Sequence, residues 1–216
     1  MKIWKKRTIS VLLAVCMIFA GLSVSALAAP ASAPAPIPFF DVAWDAWYYS
    51  AALDMHRRNI MLGTSPGSFA PHADMSRAMA VAALFRLEHG RLANNTDSRN
   101  NPFHDVSINA WFAPYVSWAY RNDIVEGVAG AHFAPHEAVS REAFVMMLYR
   151  YADLGLAHGT PNFPAHERVS DWAAHAVQWA VAHEFLRGSG GRINGQGVAS
   201  RAECATILMR FIAWQE

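Results

Sequence analysis

No lysine follows Lys6 in this chain of 216 residues. Beyond that point every basic side chain is an arginine, so each fixed cation is a planar fork suited to two parallel hydrogen bonds rather than a flexible ammonium. Cysteine is nearly absent: there are two, Cys16 and Cys204. No apolar run reaches the roughly 20 residues that a membrane-spanning helix needs. The longest, VLLAVCMIFAGL, has 12 residues and lies between the four positive charges of MKIWKKRTIS and the small-residue segment SALAAP. That order is the pattern of a secretory leader, with cleavage expected after Ala28, the second alanine of an A-x-A pair. Val15 precedes Cys16 where a lipoprotein signal takes Gly or Ala, which argues against a lipid anchor.

Loss of residues 1–28 removes Lys2, Lys5, Lys6 and Arg7 from the 18 basic residues and leaves 14 against 17 acidic ones, a net charge of −3. Such a chain has no basic field for nucleic acid. It also keeps only Cys204, so no intramolecular disulfide is available and packing must supply the stability. The segment APASAPAPIP at 29–38 reads as a semi-extended spacer.

What the chain does contain is repetition. A shift of 64 residues superimposes Asp41, Trp47, Gly63, Phe69, Pro71, Ser76, Arg77 and Arg86 on Asp105, Trp111, Gly127, Phe133, Pro135, Ser140, Arg141 and Arg150. A more divergent third copy brings Trp172, Trp179, Gly188, Ser200, Arg201 and Arg210 into register. The units fall at 39–89, 103–154 and 163–216, with linkers at 90–102 and 155–162.

Each unit reads as helix, loop, helix. In the second copy Trp111, Tyr115, Trp118 and Ala119 fall on one helical face, with Pro114 in the first turn. Gly63, Gly127 and Gly188 are expected just past a helix C-terminus, and Ser76, Ser140 and Ser200 as N-caps of the second helices. Helix pairs this short cannot bury their own apolar faces, so the copies must pack on one another.

These residues resemble the S-layer homology family. Its pattern of F-x-D, an aromatic pair, G-I-x-x-G, F-x-P and T-R-A-E is matched here by FFDV, WYY, NIMLG and FAPHADMSRAM, by FHDV, WF, DIVEG and FAPHEAVSREA, and by FPAHERVSDWA, EFLRG and ASRAE. The resemblance implies an all-α fold of three helix-loop-helix repeats in a pseudo-threefold arrangement around a central helical bundle. It also implies a secreted protein of the bacterial cell wall or S-layer, whose inter-repeat grooves bind anionic secondary cell-wall polysaccharide through a pyruvylated sugar. An envelope protein partner or self-association is the alternative. By position the groove residues are Arg77, Arg141 and Arg201, Asp41 and Asp105, Trp47, Trp111 and Trp172, and Gly63, Gly127 and Gly188. Ala165 stands where the third F-x-D carboxylate belongs, and the Glu of T-R-A-E remains only as Glu203, with Met79 and Ala143 in its place elsewhere.

On residue chemistry alone the serines need no function beyond capping. The arginines do. A cation in the first turn faces the positive end of the helix dipole, at a cost of roughly 0.3 to 1 kcal/mol. Two accounts stand: an internal ion pair with Asp41 or Asp105, or an anion site built from the guanidinium and the helix N–H groups. The three tryptophans by residue type read as core rather than ligand contacts. Arg86, Arg150 and Arg210 read as surface or inter-repeat ion pairs outside the site, and Cys204 as a small core residue.

Enzyme motifs do not survive inspection. GTSPG at 63–67 lacks a preceding strand, and Pro66 has no N–H for an oxyanion hole. Arg187 stands where a zinc helix starting at His183 needs its second histidine. No catalytic residue, metal site or cofactor is expected.

Overall fold

The computed structural model describes residues 37–89, 101–154, 163, 167–188 and 192–216. The expected leader, with Cys16, lies outside the described residues, as do Ala165 and most of the spacer and linkers. The described residues form α1 (Tyr49–Arg57), α2 (Arg77–His89), α3 (Ala113–Arg121), α4 (Arg141–Tyr151), α5 (Ala174–Ala182) and α6 (Arg201–Gln215). A single 3-10 turn, Asp171–Ala173, leads into α5. Among the described residues there is no strand, only isolated bridges, so the fold is all-α as the repeat pattern requires.

The serines start the second helices. Ser76, Ser140 and Ser200 accept from the N–H groups of Met79, Ala143 and Glu203. At Ser200 the Glu203 carboxylate reaches back to the Ser200 N–H and completes a capping box. The next two N–H groups are also taken, by carbonyls of another copy. Arg77 and Ala78 donate to Glu137 and Pro135, Arg141 and Glu142 to Gly197 and Gly195, and Arg201 and Ala202 to Ala73 and Pro71.

The glycines do not cap the first helices. The left-handed residues there are Asn59, Asp123 and Glu184, at φ of 57°, 57° and 59°. In the first two copies the N–H groups of Asn59 and Asp123, and of Ile60 and Ile124 after them, close back on the final turn. Asn and Asp tolerate this conformation because their short polar side chains bond locally, and the motif therefore ends four residues before each glycine. Trp111 likewise precedes α3 rather than sharing its buried face, whereas Trp118 is buried as expected.

Helices pair between copies rather than within them. The principal pairings are α2 with α3, α4 with α5, and α6 with α1, and α2 also meets α4. Each first helix thus lies on the second helix of the preceding copy, and α6 receives α1. Between the helices the backbone closes a cycle: Val139 donates to Met75, Ala199 to Val139, and Met75 to Ala199. One hydrophobic core results, with Phe69, Phe133, Leu84, Phe144, Leu208 and Phe211 fully enclosed in it. Cys204 is buried in the same core, and that burial pushes its thiol well above the ordinary range. Ser140→Ala removes one cap without touching the core and is expected to cost about 1 kcal/mol of stability in chemical denaturation.

Candidate functional site

Each arginine at a second-helix start reaches across to another copy. Arg201 donates its Nε to the Phe69 carbonyl and an Nη to the Leu62 carbonyl, both at 2.8 Å. Arg77 does the same with Phe133 at 2.7 Å and Glu126 at 3.4 Å, and Arg141 with Ile193 at 3.1 Å and Arg187 at 3.0 Å. The guanidinium carbon of Arg77 lies 4.8 Å from the Phe133 ring centre and that of Arg201 4.9 Å from Phe69. A flat cation stacked on an aromatic face, with one edge bonded to two carbonyls, is rigidly oriented. Only 8% of Arg141 and 4% of Arg201 remain exposed. Burial lowers the proton affinity of Arg77 and Arg201, against the opposing pull of Asp105 and Glu137 on the first and Asp41 on the second.

The aspartates are not bonded to these arginines. Asp41 accepts from the N–H groups of Phe69 (2.8 Å) and Ala70 (2.7 Å) and from the Ser68 hydroxyl, and Asp105 from Phe133 and Ala134. Burial works against ionisation of both carboxyls. The hydrogen bonds outweigh it and hold each below the ordinary carboxylate range. The ion-pair account therefore fails in that form. The Phe69–Ala70 peptide that donates its Ala70 N–H to Asp41 presents the Phe69 carbonyl to Arg201, so Asp41 positions the acceptor. Ala70 and Ala134 are held at φ of 53° and 56° by these contacts. The helix N–H groups are not available for an anion either, being bonded to serine and to neighbouring carbonyls.

In the third copy the missing carboxylate has a substitute. Glu167 accepts from Ile193 N–H at 2.8 Å and from Asn194 N–H at 3.3 Å, and Asn194 takes the left-handed position at φ of 52°. The longer side chain reaches the same loop from a position two residues further along the chain. Glu167 thus makes, in the third copy, the loop contact for which the F-x-D register offers only Ala165.

Gly63, Gly127 and Gly188 are required by space rather than by dihedral angle. A Cβ on Gly63 would lie 2.6 Å from Ser68 O and 2.9 Å from Phe39, and one on Gly127 2.7 Å from Phe103. On Gly188 it would lie 2.5 Å from Arg192 O. Each glycine lies at the wall of a groove. The groove at Gly63 holds Arg201, Met79, Arg86 and Trp111; that at Gly127 holds Arg77, Ala143, Arg150 and Trp172; that at Gly188 holds Arg141, Glu203, Arg210 and Trp47. Their volumes are about 320, 310 and 500 Å3. Every groove draws side chains from all three copies.

The tryptophans are not core. Trp47, Trp111 and Trp172 are 65%, 54% and 56% exposed, each standing over a groove formed by the other two copies. Arg86, Arg150 and Arg210, excluded by the sequence reading, line the same grooves. Arg86 and Arg210 each donate to a loop carbonyl, of Ile60 and Phe185, and Arg150 pairs with Glu126 at 2.9 Å. The two arginines of one second helix line different grooves, Arg77 that at Gly127 and Arg86 that at Gly63, so their nine-residue offset gave no signal of a shared site.

Residues 38–80 and 102–145 each match the family model described as the S-layer homology domain. These two segments are S-layer homology domains. The chain is 27% identical over 209 residues to a cell surface protein of Thermoanaerobacter kivui, covering 95% of this chain and 24% of that protein. It is 27% identical over 157 residues to the surface-layer 125 kDa protein of Lysinibacillus sphaericus (71% and 13%) and 25% identical over 170 residues to exoglucanase XynX of Acetivibrio thermocellus (76% and 15%). The chain thus spans less than a quarter of each of these relatives. The S-layer homology domain is an anchoring domain and is not itself catalytic. No helix among the described residues is long and apolar enough to cross a membrane.

Within the S-layer homology loops the aspartate contact generates an acid-sensitive stability. A carboxyl whose value is depressed by folding contributes fully above its ordinary 3.8 and loses that contribution as pH falls through the folded-state value. Asp105→Asn is expected to lower stability by about 1 to 3 kcal/mol at neutral pH. Denaturant titrations should show the gap to wild type closing below pH 3.8.

Proposed function

We propose that this protein binds anionic, pyruvylated cell-wall polysaccharide in its three grooves and is thereby held noncovalently at the bacterial cell surface. The observation that carries the reading is the joint presence, in each groove, of an oriented guanidinium edge and an exposed indole. A sugar ring stacks on the indole while its carboxylate meets the guanidinium. Residues 163–216 are a diverged third copy of the same domain, and the cyclic hydrogen bonding supports a pseudo-threefold arrangement of the three. The domain boundaries follow the repeat register, and the leader-like residues 1–28 support export.

Binding rather than turnover is favoured by the side chains present. The groove at Gly63 has no acidic residue among those lining it, so it offers no pair of carboxylates for glycoside hydrolysis. Individual grooves of this size bind weakly, and a polymer that spans several of them gains avidity without new contacts. The relatives named for surface layers and for glucan hydrolysis suit a shared module that holds different cargoes at the wall.

Co-sedimentation with cell-wall sacculi, before and after polysaccharide extraction, tests the reading. Retention on native but not extracted sacculi is expected, and equal retention on both would contradict it. Trp111→Ala removes a largely exposed side chain, so the fold should hold while binding weakens by about 1 to 2 kcal/mol.

A further inference from the structure

In the first copy the indole that stands over a groove has a neighbour. Trp44 lies three residues before Trp47, and the two are 73% and 65% exposed. Two hydrogen-bonded turns in succession hold them: the Ala46 N–H donates to the Ala43 carbonyl, and the Tyr49 N–H to the Ala46 carbonyl. Each tryptophan is the second residue of its turn. Val42 before the pair and Tyr48 after it are buried and fix both ends of the segment to the core. Three residues span at most about 10 Å, and a chain wound by such bonds advances only about 6 Å over three residues, with side chains at that spacing on one side. Trp44 therefore continues the aromatic surface that Trp47 begins.

The other copies lack this second ring. In the second copy Ala110 donates to Ser107 and Ala113 to Ala110, so the bend is the same, but Ile108 stands where Trp44 does in the first. In the third copy Val169 holds that place and packs against the core. The Gly188 groove, over which Trp47 stands, is also the roomiest of the three, at about 500 Å3 against about 320 and 310 Å3.

We infer that Trp44 forms a second sugar subsite at the Gly188 groove and takes a neutral pyranose ring next to the acidic residue held by Trp47 and Arg141. This rests on the polysaccharide reading above and extends it: the Gly188 groove reads at least two consecutive sugars, and the Gly63 and Gly127 grooves read one. The class of ligand follows from the side chains. An exposed indole offers a flat apolar face and one N–H donor, which the C–H face of a pyranose covers while its hydroxyls stay in water. The exposed Asp45 beside Trp44 disfavours a second acidic sugar there. Phe40 is as exposed, at 83%, but its N–H bonds to the Gly67 carbonyl and its ring lies against Gly67, so it belongs to a different loop.

The indole N–H resonances of isotope-labelled tryptophan report on each groove and on Trp44 separately. They can be followed while fragments of extracted cell-wall polysaccharide, graded by length from a single pyruvylated residue upward, are added. Trp47, Trp111 and Trp172 are expected to shift with the single residue, and Trp44 only with longer fragments. The affinity read at Trp47 should rise about three- to tenfold on the first added residue, with that at Trp111 and Trp172 unchanged. Trp44→Ala should abolish the rise, Phe40→Ala should preserve it, and Ile108→Trp should create a matching rise at Trp111. Absence of any rise at Trp47, a rise that survives Trp44→Ala, or one lost equally in Phe40→Ala overturns the second subsite and leaves the polysaccharide reading standing. So does a dimer in sedimentation equilibrium that Trp44→Ala dissolves, since a second copy of the chain would then cover the indole. Silence of Trp47, Trp111 and Trp172 with every fragment overturns both.

Discussion

The structure depends on a guanidinium that begins a helix in one copy and bonds to two carbonyls of another. Arginine is needed for this because Nε and one Nη lie on a single rigid edge, so both bonds form together with little further loss of freedom. The second carbonyl of each pair borders the glycine loop, and the first follows the Phe or Ile that packs beneath it. Fixing the arginine therefore fixes the loop, and the loop and the arginine together define the groove. The price of placing a cation at a helix start is met by these bonds and, in two copies, by stacking on a phenylalanine.

Closure follows from the same contacts. No copy buries its own helices, since α2 packs with α3, α4 with α5 and α6 with α1. The last copy must return to the first for any of them to be complete. Binding geometry and folding are thus coupled: a groove has its arginine from one copy, its loop from the next and its tryptophan from the third. An assembly of this kind holds its site on rigid elements and needs no disulfide.

Much of this was legible in the sequence. The helical units and their serine caps follow from spacing and residue chemistry, and the family resemblance implied Arg77, Arg141 and Arg201 as groove residues. Four features were not legible from residue chemistry alone. The tryptophans look like core by type; the family resemblance alone put Trp47, Trp111 and Trp172 at the grooves, and the exchange of helices between copies is what turns them outward there. The third loop lacks its aspartate in register, and Glu167 replaces it because a longer side chain spans from a position that no alignment of motifs would select. The aspartates looked like partners for arginine, since opposite charges recur together; in fact both serve one peptide from opposite sides, the carboxylate on its N–H and the guanidinium on its carbonyl. Arg86, Arg150 and Arg210 were hidden for a related reason, as a nine-residue offset along a helix carries no sign of which loop the side chain will meet.

Exchange of the arginine Nε protons with solvent measures the central contact directly. Arg77, Arg141 and Arg201 donate these protons to Phe133, Ile193 and Phe69, whereas Arg57 is exposed. The account predicts that all three exchange on the order of tenfold or more slowly than Arg57, and with similar rates to one another. Exchange of any of the three at the Arg57 rate would contradict it.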